Sequence, residues 1–172
     1  MIAIFGGTFD PIHLGHLRLA LELQEKYKFN EIRFVPCKNP VFNKKPAVSL
    51  EHRIAMLKLA IKDQPNFVVD ESERDRSGPS YMIDTLLDLQ IKKPNEKFTL
   101  ILGSDTFEDF YRWHCCEDIV TLAKLLVVPR GGNQTLPISS SEIRKQLKHK
   151  KSSRYWVPDT VWKYIQKHGL YR

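Results

Sequence analysis

Cysteine is scarce in this chain of 172 residues: the three copies, Cys37, Cys115 and Cys116, are odd in number and two of them are adjacent. Adjacent cysteines rarely bridge because disulfide geometry is narrow, so no disulfide framework is expected and a reducing cytoplasm fits best. Long apolar runs are missing too. None approaches the roughly eighteen residues of a spanning helix. The opening Met1-Ile2-Ala3-Ile4-Phe5-Gly6-Gly7 has no basic stretch ahead of its short apolar run, so neither export nor membrane insertion is expected. Low hydrophobicity and extreme charge are absent as well: 42% of the residues are hydrophobic and 27% charged, which excludes a disordered chain. A chain of this length suits one domain over residues 1–172, with a C-terminal helical segment from about residue 139.

Several signatures of known chemistry are not there. No G-x-G-x-x-G occurs, and no Gly-Lys-Ser or Gly-Lys-Thr, so the dinucleotide fingerprint and the Walker loop are both excluded. No CxxC or HExxH supplies a zinc ligand set. Acidic residues are outnumbered: 20 Asp and Glu against 27 Lys and Arg leave a charge of +7. That balance favours anionic partners such as nucleotides, phosphorylated metabolites or nucleic acid, although solubility alone explains it equally well.

What the chain does have is alternation. Short β-type runs at Ile2 to Phe5, Glu31 to Pro36, Phe67 to Asp70, Phe98 to Leu102 and Lys124 to Val128 alternate with segments of helical period, the pattern of βαβ units around a parallel sheet. Leu14, Leu17 and Leu21 are spaced for one helical face, as are Leu50, Ile54, Leu57 and Ile61, and Ile83, Leu86 or Leu87, and Ile91. Pro158 opens and Gly169 closes a last helix carrying Val161, Trp162 and Ile165. The expected fold is α/β, an open Rossmann-like parallel sheet of about five strands in the order 3-2-1-4-5 with helices on both faces. Residues 37–49 and 71–79 read as loops.

Directly after the first strand comes Gly6-Gly7-Thr8-Phe9-Asp10-Pro11-Ile12-His13-Leu14-Gly15-His16. A strand, a glycine turn and a helix start make a phosphate site, because glycine admits close approach and the first N–H groups of a helix favour negative charge. His13 and His16, three apart, share one face of the opening turn and can both donate to a polyphosphate. A metal-ligand pair or a purely structural pair are the competing readings. These residues resemble the nucleotidyltransferase superfamily, which shares its HIGH motif with class I aminoacyl-tRNA synthetases. The resemblance implies that His13 and His16 contact the nucleoside triphosphate and stabilise the charge on the departing pyrophosphate, with Gly6, Gly7, Thr8, Phe9 and Gly15 as neighbouring ATP-binding positions.

Near the C-terminus Ile138-Ser139-Ser140-Ser141-Glu142-Ile143-Arg144 precedes a helix with apolar Ile143 and Leu147. Ser139 and Glu142 form a capping-box pattern, which explains those two residues but not the run of hydroxyls or Arg144. The superfamily carries a similar motif that holds the triphosphate, which implies ATP-binding roles for Ile138, Ser139, Ser140 and Arg144, with Ser141 standing where Thr is usual.

A third cluster, Gly103-Ser104-Asp105-Thr106 with Trp113-His114, follows the fourth strand. In the order 3-2-1-4-5 it faces Gly6-Gly7 across the crevice where strand order reverses, which places Gly103 and Asp105 at the ATP site. Taken alone, Asp105 has a helix cap as its competing reading, and core packing is the usual reading of Trp113. Together with Pro79-Ser80-Tyr81-x-x-Asp84-Thr85-Leu86, Arg53-x-x-Met56, Val128-Pro129-Arg130-Gly131 and the closing Leu170-Tyr171, the cluster resembles the nicotinate mononucleotide adenylyltransferases over the whole chain. The resemblance implies that the pyridine ring stacks on Trp113, that backbone amides near Thr85 hold its carboxylate, and that Arg130 joins the pocket. A magnesium ion, arriving with ATP as substrate, is expected beside His13, His16 and Arg144 in neutralising the leaving pyrophosphate, and no residue is assigned as a metal ligand. Two departures stand out. The loop after strand two has Phe42 and Asn43 where a His-Lys or His-Arg pair is usual, so Lys44 matches only with a shift of one residue. The segment between Arg130 and Ile138 is also much shorter than usual.

The expected reaction is adenylyl transfer from ATP to nicotinate mononucleotide, giving deamido-NAD and pyrophosphate. The alternatives are the same chemistry on nicotinamide mononucleotide or on another phosphorylated acceptor such as phosphopantetheine, and a nucleic-acid-binding module using Lys148, Lys150, Lys151 and Arg154, a cluster that reads better as a solvated face. The expected partners are ATP and a pyridine mononucleotide, with no membrane and no nucleic acid; monomer and oligomer are both compatible with the sequence.

Overall fold

The computed structural model describes residues 1–42, 45–129 and 138–172. Five parallel strands, β1 (Ile2–Gly7), β2 (Glu31–Pro36), β3 (Phe67–Val69), β4 (Phe98–Gly103) and β5 (Ala123–Val128), form one sheet in the order β3-β2-β1-β4-β5. The expected strand order and open parallel sheet are what is found. Boundaries shift by a residue or two; Asp70 lies just beyond β3, although its N–H still bonds the Phe34 carbonyl at 2.9 Å.

Because side chains alternate across a strand, β1 feeds two cores. Ala3 and Phe5 join Ile32, Phe34, Ala20, Met56, Leu57, Ile143 and Ile165 on one face. Ile2 and Ile4 join Val35, Leu100, Leu86 and Ile119 on the other. The first face is covered by α1 (Leu14–Tyr27), α2 (Leu50–Ile61), α6 (Ser140–Lys148) and α7 (Asp159–His168), the second by α3 (Met82–Lys92) and α5 (Cys116–Leu122). No helix among the described residues is long and apolar enough to cross a membrane.

The apolar face of α2 is as expected, with Leu50, Ile54, Leu57 and Ile61 all buried. Two others are rotated. In α1 the buried residues are Ala20 and Leu23, while Leu21 is exposed; in α3 they include Ile83, Leu86 and Leu89, while Leu87 and Ile91 are exposed, Ile91 at 79%. The physical reason is that leucine spacing alone does not say which of two adjacent apolar rows meets the sheet. Small Ala20 permits a close approach that a Leu count overlooks. The last helix runs as expected, from Pro158 at its N-cap to Gly169, whose φ of 59° ends it in the left-handed region.

One detail of register makes the site. β1 pairs with β2 as far as Gly7↔Pro36, and β4 pairs with β5 as far as Gly103↔Val128, but β1 and β4 pair only as far as Phe5↔Ile101. The two central strands therefore part before their carboxyl ends, at the point where strand order reverses, which is where open α/β sheets bind ligands.

Candidate active site

The loop leaving β1 turns sharply. Phe9 adopts φ 48°, and its ring folds back so that a Cβ on Gly7 would meet it at 2.9 Å; only glycine leaves that space. Phe9 is buried, and it and Phe5 set their edges against His16 with ring centroids 5.1 and 5.9 Å away. His13 caps α1: its Nδ1 accepts the His16 N–H at 3.4 Å, which places the hydrogen of a neutral ring on Nε2. The two imidazoles stack, centroids 3.6 Å apart and planes 22° from parallel. The shared face expected from their spacing is present as direct ring contact.

Helix α6 docks its N-terminus against this loop. Ser139 caps the helix by accepting the Glu142 N–H at 3.1 Å, as the capping-box pattern predicts, and the Ser140 hydroxyl donates to the Pro11 carbonyl at 2.8 Å. Arg144 donates from Nη1 to the Asp10 carbonyl at 2.6 Å and from Nη2 to the Ser141 hydroxyl at 3.3 Å. Arg53 reaches inward from α2, fully buried. Its Nη1 donates to the Thr8 carbonyl at 2.7 Å and the Cys37 carbonyl at 2.8 Å, tying the ends of β1 and β2 together.

Across the sheet, α3 begins at Tyr81 with no side-chain cap, and Tyr81 and Met82 reach the crevice. Gly6 abuts Met82. The Tyr81 ring lies 4.4 Å from that of His114, while Trp113 packs on Phe110 with centroids 5.5 Å apart. The short helix α4 (Ser104–Glu108) follows β4 with Gly103 as its cap, so Asp105 sits in the first turn and is not the cap.

These elements enclose a cavity of about 980 Å³, at the upper end of the roughly 300–1,000 Å³ of small-molecule sites and so roomy enough for two nucleotides. Gly6, Gly7, Thr8, Phe9, Gly15, His13 and His16 line it. So do Ile138, Ser139, Ser140 and Arg144 from the C-terminal segment, and Gly103, Asp105 and Trp113 from beyond β4. Thr85 does not line it. Its side chain is fully buried and accepts from Arg76 Nη1 at 3.1 Å, while Nη2 of the same arginine pairs with Asp88 at 2.6 Å. Lys44, Asn43 and Arg130, with the shortened segment after it, fall outside the described residues.

Four residues escaped the sequence reading although each sat inside a quoted motif: Asp10, Arg53, Tyr81 and Tyr171. No local signal marks them, because their partners lie far along the chain. Cys37 lines the cavity but is no nucleophile: burial, with Glu73 nearby, pushes its thiol up to about 11.

A family model described as cytidylyltransferase-like matches residues 4–146. A Thermus thermophilus protein named "Probable nicotinate-nucleotide adenylyltransferase" is 41% identical over 185 residues, covering 99% of both chains. One of the same name from Hahella chejuensis is 37% identical over 208 residues, covering 99% of this chain and 95% of its own. Among solved structures, the Plasmodium falciparum nicotinic acid mononucleotide adenylyltransferase complexed with NaAD superposes with a TM-score of 0.79 at 24% identity, over 99% of this chain and 96% of that one. That likeness carries the fold, and the two closer relatives carry the family. By that extent of match, end to end, the chain belongs to the nicotinate-nucleotide adenylyltransferases of the cytidylyltransferase-like family.

Proposed function

We propose that this chain transfers the adenylyl group of ATP to nicotinate mononucleotide, giving deamido-NAD and pyrophosphate, a step of NAD biosynthesis. The observation that carries the reading is one cavity joining the stacked His13 and His16 and Arg144 to Trp113 and the uncapped start of α3. One end is built for a polyphosphate, the other for a flat aromatic ring bearing a carboxylate.

A phosphate oxygen of the mononucleotide attacks the α-phosphorus of ATP. The bond from that phosphorus to the bridging oxygen of the β-phosphate breaks, and pyrophosphate leaves with the electron pair. The attacking phosphate is largely a dianion near neutral pH, since its second ionisation lies near pH 6. No protein nucleophile is needed, and catalysis comes from positioning and from charge neutralisation on the leaving group. His13 and His16 donate to the leaving oxygens, and Arg144 forks onto them. Ser139 and Ser140, already engaged in capping α6 and binding Pro11, serve by presenting the first N–H groups of that helix. Trp113 stacks on the pyridine, and the first-turn amides of α3 receive its carboxylate. Lys44 and Arg130 remain proposed contacts to the acceptor.

Magnesium enters this reading with ATP as substrate, as Mg–ATP. The three cysteines are free thiols, in keeping with a cytoplasmic enzyme. The test is pyrophosphate release from Mg–ATP with nicotinate mononucleotide, nicotinamide mononucleotide or phosphopantetheine as acceptor. Preferential turnover of the nicotinate nucleotide is expected; equal or greater turnover of phosphopantetheine, or none with either pyridine nucleotide, overturns the reading.

A further inference from the structure

The buried Asp10 joins three distant parts of the chain. Its Oδ2 accepts the Ala47 N–H at 2.7 Å, its Oδ1 accepts the Tyr171 hydroxyl at 2.8 Å, and its carbonyl accepts Nη1 of Arg144 at 2.6 Å, a nitrogen also 3.8 Å from Oδ2. Only 3% of Asp10 is exposed, so these partners, rather than water, satisfy it.

Tyr171, the penultimate residue, makes an unusual effort to be there. Its φ of 66° lies in the left-handed region that L side chains rarely adopt, two residues after Gly169 at 59°. Leu170 between them is buried in the core. A non-glycine residue persists in that conformation where surrounding contacts over-determine it, and such residues gather at functional sites. Burial and the adjacent Asp10 drive the ionisation of the phenol far upward, so the hydroxyl stays protonated and donates to the carboxylate. Tyr171 is not among the residues lining the cavity, whereas Asp10 and Arg144 both are.

We propose that Tyr171 is a positioning residue for the adenylyl transfer: its hydroxyl holds Asp10 in the orientation whose carbonyl aims the Arg144 guanidinium at the triphosphate. The inference rests on the reading above in assigning Arg144 to ATP. It makes the end of the chain part of the ATP site while leaving the acceptor end, on the opposite face of the sheet, untouched.

Tyr171→Phe keeps the ring and removes only the hydroxyl. Calorimetry with Mg–ATP alone is expected to show the Kd rising about 5- to 10-fold, with the Kd for nicotinate mononucleotide unchanged. In an Arg144→Ala background the same substitution is expected to change the ATP Kd by less than about twofold, because the residue through which it acts is gone. Val161→Ala thins the packing of α7 away from that turn and from Asp10, and is expected to lower Tm but not ATP affinity. Wild-type ATP binding by Tyr171→Phe, an equal loss in both backgrounds, or a matching loss in Val161→Ala would each overturn the proposal. The ATP readouts need no acceptor, so failure of the wild-type protein to use nicotinate mononucleotide would refute the acceptor assignment and leave the ATP arm of the Tyr171 test standing.

Discussion

The rings of His13 and His16 stack 3.6 Å apart, nearly parallel. Because Nδ1 of His13 accepts the His16 N–H, its ring presents Nε2–H, and not Nδ1, as the donor to a phosphate oxygen. The edges of Phe5 and Phe9 hold His16 in that stack. The pair is thus pre-set to receive charge that grows as pyrophosphate leaves, without reorganising at that moment.

His16→Ala is expected to lower kcat by about 10²- to 10³-fold. The far-UV circular dichroism should match the wild type, since the lost ring borders the cavity and no strand depends on it. Normal turnover in the folded variant would remove His16 from the reaction.

Trp113→Ala is expected to raise the KM for nicotinate mononucleotide about 10- to 100-fold, the range for losing one base–aromatic stack. The KM for ATP should stay within about threefold, because Trp113 follows β4 on the face opposite His13 and Arg144. Steady-state kinetics with each substrate varied in turn checks both numbers; an equal rise in both would make Trp113 a packing residue of the whole cleft.

Thr85→Val removes the buried hydroxyl that accepts from the half-buried Arg76 and is expected to cost about 1–2 kcal/mol of stability in urea unfolding. Both KM values should hold within about threefold, since the side chain faces Arg76 and not the cavity. A KM change for the pyridine nucleotide at unchanged stability would put the Thr85 hydroxyl on the substrate.

Asp70 lies beyond β3, buried, with its carboxylate bound by the Ser72 N–H at 2.9 Å and by Nη1 of Arg33 at 2.8 Å. Burial pushes its pKa up, but the Ser72 and Arg33 contacts outweigh burial and hold it below the ordinary 3.8. A group with a depressed folded pKa stabilises the fold above its unfolded pKa and loses that stability as the pH falls through the folded value. Asp70→Asn is therefore expected to be about 2 kcal/mol less stable than wild type at pH 7. The gap should close progressively below about pH 4; a difference in Tm that stays constant from pH 7 to pH 3 would contradict this account.

Much of the architecture is legible without coordinates because its causes are local. The β-branched runs, the glycine turn before His13, the Ser139 cap and the Pro158 and Gly169 ends of α7 each depend on sterics and hydrogen bonds within a few residues, and right-handed crossovers narrow the sheet topologies such a chain can adopt. The long motifs carry the resemblance for the same reason, being contiguous. Folding in three dimensions settles a different set of facts. Which apolar row of α1 or α3 meets the sheet depends on a partner surface that spacing does not encode. The parting of β1 from β4 beyond Phe5 depends on two strands whose ends are placed by separate crossovers. Asp10 meets Arg144 across 134 residues and Tyr171 across 161, and nothing near any of the three announces the others. Short-range structure is set by each residue's own backbone and neighbours, whereas a site assembled from opposite ends of the chain exists only once the core has brought those ends together.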